Sequence, residues 1–270
     1  MIESVDGLRK ICLKSEEKYG KIPLISRKLI HPHISIRITR LLLILGFSGL
    51  RATVLMLLTN IIALLALFIG MPVFYAIGGT LLILAWILDH VDGEVCRYRK
   101  ESTSLGIYLD NFTHQLTYPA IYLILGYSLF RDIGNIHFLY VGIVASYFLS
   151  LTACGRIDKK KISFFRKDIV FNYSSLQVAV DIWIQKSGCF RFLLYPIKYF
   201  VGMFMSGFGS YFDIALIICA LMGIMEPFFI FFSIVVVLNW LLIFIFDIKY
   251  TFVKDESNMT LPPDAGPFSG

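Results

Sequence analysis

The segment LDHVDGEVCRYRKESTSLGIYLDNFTH, residues 88–114, carries Asp89, Asp92, Asp110 and His114 at intervals that bear on chemistry. Asp89 and Asp92 stand three apart, hence on one helical face; Asp110 and His114 stand four apart, with Gly106 one turn before Asp110 on the same face. If the two helices are antiparallel neighbours, three carboxylates and an imidazole converge. Carboxylates so placed repel one another, and a divalent cation removes that repulsion. Oxygen ligands select Mg2+ or Mn2+ over zinc or copper, and shared carboxylates suit two ions. Gly93 lets a large group approach the backbone, and Arg97, one turn on, offers a planar fork to phosphate oxygens. Together these residues suit a pyrophosphate. Taken singly, each aspartate also fits a helix cap or a solvated loop, and Arg97, Arg99 and Lys100 also fit charges that set topology. The joint spacing favours a site. His90 adjoins Asp89 and points off the shared face, so it is read as non-catalytic.

The elements that must position these groups are membrane helices. The 270-residue chain is 57% hydrophobic and 15% aromatic, with a mean hydropathy of +0.74, above what a soluble domain carries. Uncharged runs at 52–70, 71–88, 112–130, 136–153, 208–225 and 227–246 each approach the roughly 20 residues that cross a bilayer. The expected fold is therefore all-α and integral to the membrane, with six transmembrane helices. Some 50 residues containing many charges precede the first run, which does not resemble a cleaved signal peptide. Placing short basic loops in the cytoplasm puts 24 of the 25 Lys and Arg residues on one side, with only Arg131 opposite. Both termini and the charged segment are then cytoplasmic. The net charge of +6 answers to anionic lipid and insertion, not to nucleic acid. Five scattered cysteines form neither a disulfide framework nor a zinc site.

Three regions follow. Residues 1–51 form a cytoplasmic N-terminal segment whose stretch ISRKLIHPHISIRITRLLLILGFS reads as an amphipathic helix lying in the interface. Residues 52–248 form the six-helix domain, within which 154–206 interleaves aromatic and basic residues as an interfacial connection. Residues 249–270 read as a disordered cytoplasmic tail. A transporter or ion-binding protein would carry ionisable residues deep in several spans, whereas the acids Asp213 and Asp247 stand near span ends.

At these residues the chain resembles the CDP-alcohol phosphotransferase family, whose signature runs D-x2-D-G-x2-A-R-x8-G-x3-D-x3-D. Asp89, Asp92, Gly93, Arg97, Gly106 and Asp110 fall in register; Cys96 stands for the alanine and His114 for the last aspartate. GFSGLRATVLMLL is similar to the family's lead into helix one, with Thr53 kept and the customary Pro-Asn missing. The resemblance implies attack of an alcohol hydroxyl on the β-phosphorus of a CDP-linked donor, with release of CMP. It implies that Asp89, Asp92 and Asp110 hold a Mg2+ or Mn2+ pair, that Gly93, Arg97, Gly106 and Thr53 serve the nucleotide phosphates, and that His114 replaces the general base. Three readings of His114 stand open: a working base, a bystander to another base, or the mark of a weakened relative.

Two donor types fit the resemblance. One is CDP-diacylglycerol with a small polar acceptor, favoured by the short chain; the other is a small CDP-alcohol, or a CMP-phosphonate, with a lipid or glycan acceptor. Arg156, Lys159 and Lys160, near the cytoplasmic end of helix four, would bind a phosphorylated acceptor, although they also obey the topology rule. The implied partners are the donor, an alcohol acceptor, membrane lipid and a second copy of the chain in a homodimer.

Overall fold

The computed structural model describes residues 3–12, 33–165 and 209–259. The described residues form eight α-helices and no strand: α1 (Val5–Cys12), α2 (Ile36–Ile44), α3 (Gly49–Ile69), α4 (Pro72–Arg99), α5 (Ser104–Ile133), α6 (Ile136–Phe165), α7 (Gly209–Met222) and α8 (Met225–Met259). The six apolar runs fall in α3 to α8. By length and composition, α3 and α4 are long and apolar enough to cross a membrane, while the apolar stretches Ile136–Leu151, Phe212–Met222 and Met225–Leu241 are shorter.

Local chemistry sets the ends that matter for the site. Ser48 caps α3 by accepting from the Arg51 amide, and Gly70 closes that helix in the left-handed region. Pro72 opens α4, where its missing N–H costs nothing. Lys100 ends α4 with φ at 53°, and Thr103 caps α5 by accepting from the Gly106 amide at 3.1 Å. Only residues 100–103 therefore join α4 to α5, so the chain turns back sharply and the two halves of the charged segment meet through side chains, with α3 packed on both helices. α4 runs unbroken through Asp89, Asp92 and Arg97, which makes their shared face real.

Two helices run further than the sequence suggests. Residues 154–165, expected in an interfacial connection, belong to α6; residues 166–208 of that connection lie outside the described residues. The tail expected to be disordered from residue 249 is helical through Met259. No proline or glycine occurs between 249 and 259 to break α8.

α3 packs along α4 and α5, α7 along α4, and α6 along α5 and α8. The α5–α6 seam is tight: a Cβ on Gly126 would lie 2.7 Å from the Phe138 carbonyl oxygen, so glycine is what permits this approach. Phe212, Phe228, Phe229 and Phe232 join Tyr122 in one buried cluster, with Phe212 edge-on to Phe232 at 5.2 Å. Large apolar side chains such as Leu58, Ile62, Leu65, Leu221 and Ile234 face outward, which suits lipid.

α2 is the amphipathic helix expected before the first span. It buries Ile36, Thr39, Leu42 and Leu43 and exposes Arg37, Arg40, Leu41 and Ile44. α1, which the sequence reading did not identify, joins α2 and α4 in a second core through Leu8 and Cys12. The polar centre of that contact is Glu94, 0% exposed. It accepts from Ser35 Oγ at 2.7 Å and Thr39 Oγ1 at 2.6 Å. Both hydroxyls are themselves buried, so truncating Glu94 strands two donors. Glu94→Ala is expected to lower stability by about 3 kcal/mol, and Glu94→Gln by less, because its amide oxygen still accepts. Thermal unfolding in detergent reads the order; equal melting of all three proteins would refute the anchoring role.

Candidate active site

α4 contributes Asp89, Asp92, Gly93 and Arg97, α5 contributes Gly106, Asp110 and His114, and α3 contributes Thr53. His114 Nε2 lies 3.0 Å from Asp89 Oδ1 and 3.3 Å from Asp110 Oδ1. The ligating atoms of Asp89, Asp110 and His114 all fall within 4.8 Å of one another. A single Nε2 proton serves one of the two oxygens well, and Asp110 Oδ1 is buried without a hydrogen-bond partner among the described residues. An orphaned carboxylate oxygen beside a second carboxylate and an imidazole is a donor set that fits a divalent cation.

Asp92 is held apart from that cluster. Thr53 Oγ1 donates to Asp92 Oδ2 at 2.9 Å and also lies 3.1 Å from the Gly49 carbonyl oxygen. Thr53, expected beside the nucleotide, therefore orients a carboxylate. Thr53, Asp92, Gly93, Arg97, Gly106 and Asp110 line one cavity of about 540 Å³, a size suited to a small-molecule ligand. Asp89 and His114 instead border a smaller cavity of about 30 Å³. The expected constellation thus converges from two sides of the α4–α5 contact.

Arg97 is anchored from outside the bundle. Its Nε donates to the Cys12 carbonyl at 2.6 Å, at the C-terminus of α1, where the helix dipole favours a cation. Its Nη1 lies 3.1 Å from the position a Cβ on Gly93 would take, so the guanidinium covers Gly93 at the cavity wall. Burial first, then the Glu94 carboxylate, pushes the Cys12 thiol up to about 11, so it stays a protonated packing group. Cys96, where the resembled pattern has alanine, presses on α3: a Cβ on Gly49 would meet its Sγ at 2.1 Å.

His90, read as off the face, has Nδ1 3.8 Å from Asp89 Oδ2 and its ring edge-on to Trp86. The sequence reading missed Asn60 and underrated Asp213. It set Asp213 near a span end, whereas the structure buries it to 4% exposure and places both residues on the cavity that His114 borders. A lone amide or carboxyl inside an apolar run was the available signal. Arg156, Lys159 and Lys160 fall in the last turns of α6, and their side chains lie outside the described residues.

Fold and site together define an all-helical membrane protein with a metal-competent acidic clamp beside an arginine-lined cavity. The chain belongs to the CDP-alcohol phosphatidyltransferase family, whose model matches residues 51–225. No curated protein matches it. The protein is accordingly a transferase of substituted phosphate groups, which moves a phosphate-containing group from a CDP-alcohol to an acceptor in phospholipid biosynthesis. Membership and two membrane-length helices make it an integral membrane protein. Members of the family generally use divalent metals, as the cluster of Asp89, Asp110 and His114 allows.

Gly93→Ala would force the Arg97 guanidinium to shift while its Nε is held by Cys12. It is expected to raise the KM for a CDP-linked donor about tenfold, the order of one lost charge-assisted contact, with helix content unchanged. An unaltered donor KM in a CMP-release assay would refute the role given to this pair.

Proposed function

We propose that the protein transfers a phosphatidyl or related substituted phosphate group from CDP-diacylglycerol to a small polar alcohol, releasing CMP, in phospholipid head-group synthesis. The observation that carries this reading is the Asp89–His114–Asp110 cluster, with contacts of 3.0 and 3.3 Å, abutting the cavity that Arg97, Gly93 and Gly106 share. Two Mg2+ or Mn2+ ions on Asp89, Asp92 and Asp110 would supply the charge that neutralises the pyrophosphate and the departing CMP. Arg97 and the bare backbones at Gly93 and Gly106 receive the nucleotide phosphates, while Thr53 keeps Asp92 turned toward them.

His114 acts as the general base. Asp89 accepts from its Nε2, which keeps the proton on that nitrogen and leaves Nδ1 basic, as an orienting carboxylate does for a catalytic histidine. The acceptor oxygen forms its bond to the β-phosphorus, the bond from that phosphorus to the CMP oxygen breaks with the electron pair leaving on CMP, and the hydroxyl proton passes to Nδ1. A neutral imidazole oriented in this way can take that proton. The reading also holds six membrane crossings with both termini and the site cytoplasmic, supported by the one-sided distribution of Lys and Arg, and a homodimer as the family resemblance implies.

Purified protein given Mg2+, CDP-diacylglycerol and a panel of alcohols is expected to release CMP, and chelation with EDTA to stop it. Asp110→Asn should abolish release, whereas His114→Asp should retain or raise it by restoring the resembled pattern. Full activity in Asp110→Asn would sink the metal-site assignment; loss in His114→Asp would show that the chemistry here depends on imidazole itself.

A further inference from the structure

Behind His114, on the side away from the nucleotide cavity, lies the small cavity of about 30 Å³. A water needs about 10–15 Å³ by this measure, so the space holds two or three heavy atoms. Its polar wall is made by Asn60 on α3, Asp89 on α4, His114 and Thr117 on α5 and Asp213 on α7, with Trp86 closing one side. Asn60 and Thr117 are buried, and Asp213 is 4% exposed. Asp213 has no hydrogen-bond or ion-pair partner among the described residues, an arrangement that is costly unless something supplies one. The Asn60 amide already donates to the Met56 carbonyl at 3.2 Å, so its other donor and its oxygen remain for a ligand.

We propose that this cavity seats the polar end of the acceptor alcohol, and that Asp213 selects a group able to donate hydrogen bonds, a second hydroxyl or an ammonium, and excludes a phosphate from that place. The assignment rests on the transferase reading and extends it. An acceptor whose reacting hydroxyl lies at His114 extends its next polar group into this space, where a carboxyl and an amide oxygen accept. Apolar neighbours Leu82, Ala85 and Ile121 surround the seat and would leave an unmatched donor or acceptor unsolvated. Specificity of this kind is strong, because a buried carboxyl without its partner is penalised. Asp213 is thus a binding residue and takes no proton from the reacting hydroxyl.

The test uses the full-length protein in detergent with CDP-diacylglycerol and four acceptors: glycerol, ethanolamine, glycerol phosphate and 1-propanol. Glycerol or ethanolamine is expected to show a KM at least tenfold below that of 1-propanol and glycerol phosphate. Asp213→Asn should raise the KM for ethanolamine at least tenfold and that for glycerol less, since an amide oxygen still accepts from a hydroxyl. Asp213→Leu should raise both, with donor KM unchanged in each variant. Equal acceptor KM values in wild type and both variants would overturn the assignment, as would a preference for glycerol phosphate or for 1-propanol. Should neither variant fold, the wild-type order of acceptors decides. Should no acceptor yield CMP, the transferase reading fails instead, and a saturable shift of Trp86 emission on adding ethanolamine or glycerol but not 1-propanol, in a Trp183→Phe/Trp240→Phe background, still reads occupancy of the cavity; no shift overturns the seat.

Discussion

Everything in the molecule answers to the electrostatics of three carboxylates brought together between apolar helices. Asp92 is buried and Asp89 and Asp110 partly so, and like charges held this close repel. The fold manages them by treating each differently. Asp89 takes the His114 Nε2 contact at 3.0 Å, Asp92 takes the Thr53 hydroxyl, and Asp110 faces the same His114 nitrogen at 3.3 Å with that oxygen buried and not hydrogen-bonded. That unequal treatment leaves one ligand atom poised for a cation while the other two groups are already oriented.

Holding that arrangement requires the rest of the bundle. The four-residue connection between α4 and α5, capped by Thr103 and closed by Lys100, brings the two charged faces together. α3 lies over both and brings Thr53 to Asp92. From the N-terminal side, α1 and α2 close against the same end of α4: the Cys12 carbonyl fixes Arg97, and Ser35 and Thr39 fix Glu94. Glu94 and Arg97 are one turn apart on α4, so the two N-terminal helices grip the segment that carries Arg97 at the cavity wall. An element read from sequence as a membrane anchor therefore also braces the helix that carries the site.

The replacement of a carboxylate by His114 changes the charge balance of the clamp. An imidazole between Asp89 and Asp110 supplies a donor where the resembled pattern supplies a fourth negative group. The site thereby tolerates its own carboxylates better. The ring lies parallel to Tyr118 with centroids 6.1 Å apart, which restrains its plane and keeps Nε2 directed at the two acids.

The sequence by itself determined the helical class, the amphipathic α2 and the whole of the D-x2-D-G segment, because those features are periodic: apolar runs of spanning length and acids at helical intervals are local facts that survive without a partner. Helix ends were legible where Pro72, Gly70 and Gly134 mark them, and illegible at α8, where no breaker occurs before residue 262. Only the tertiary structure decided which acid stands with which partner. Thr53 to Asp92 spans 39 positions and Ser35 to Glu94 spans 59, distances over which no periodicity speaks. Asp213 shows the same divide. In sequence it is a single acid near the end of an apolar run; in the fold, the packing of α7 on α4 carries it to the cavity beside His114. Spacing along a helix tells which side chains share a face, and only the packing of helices against one another determines what that face meets.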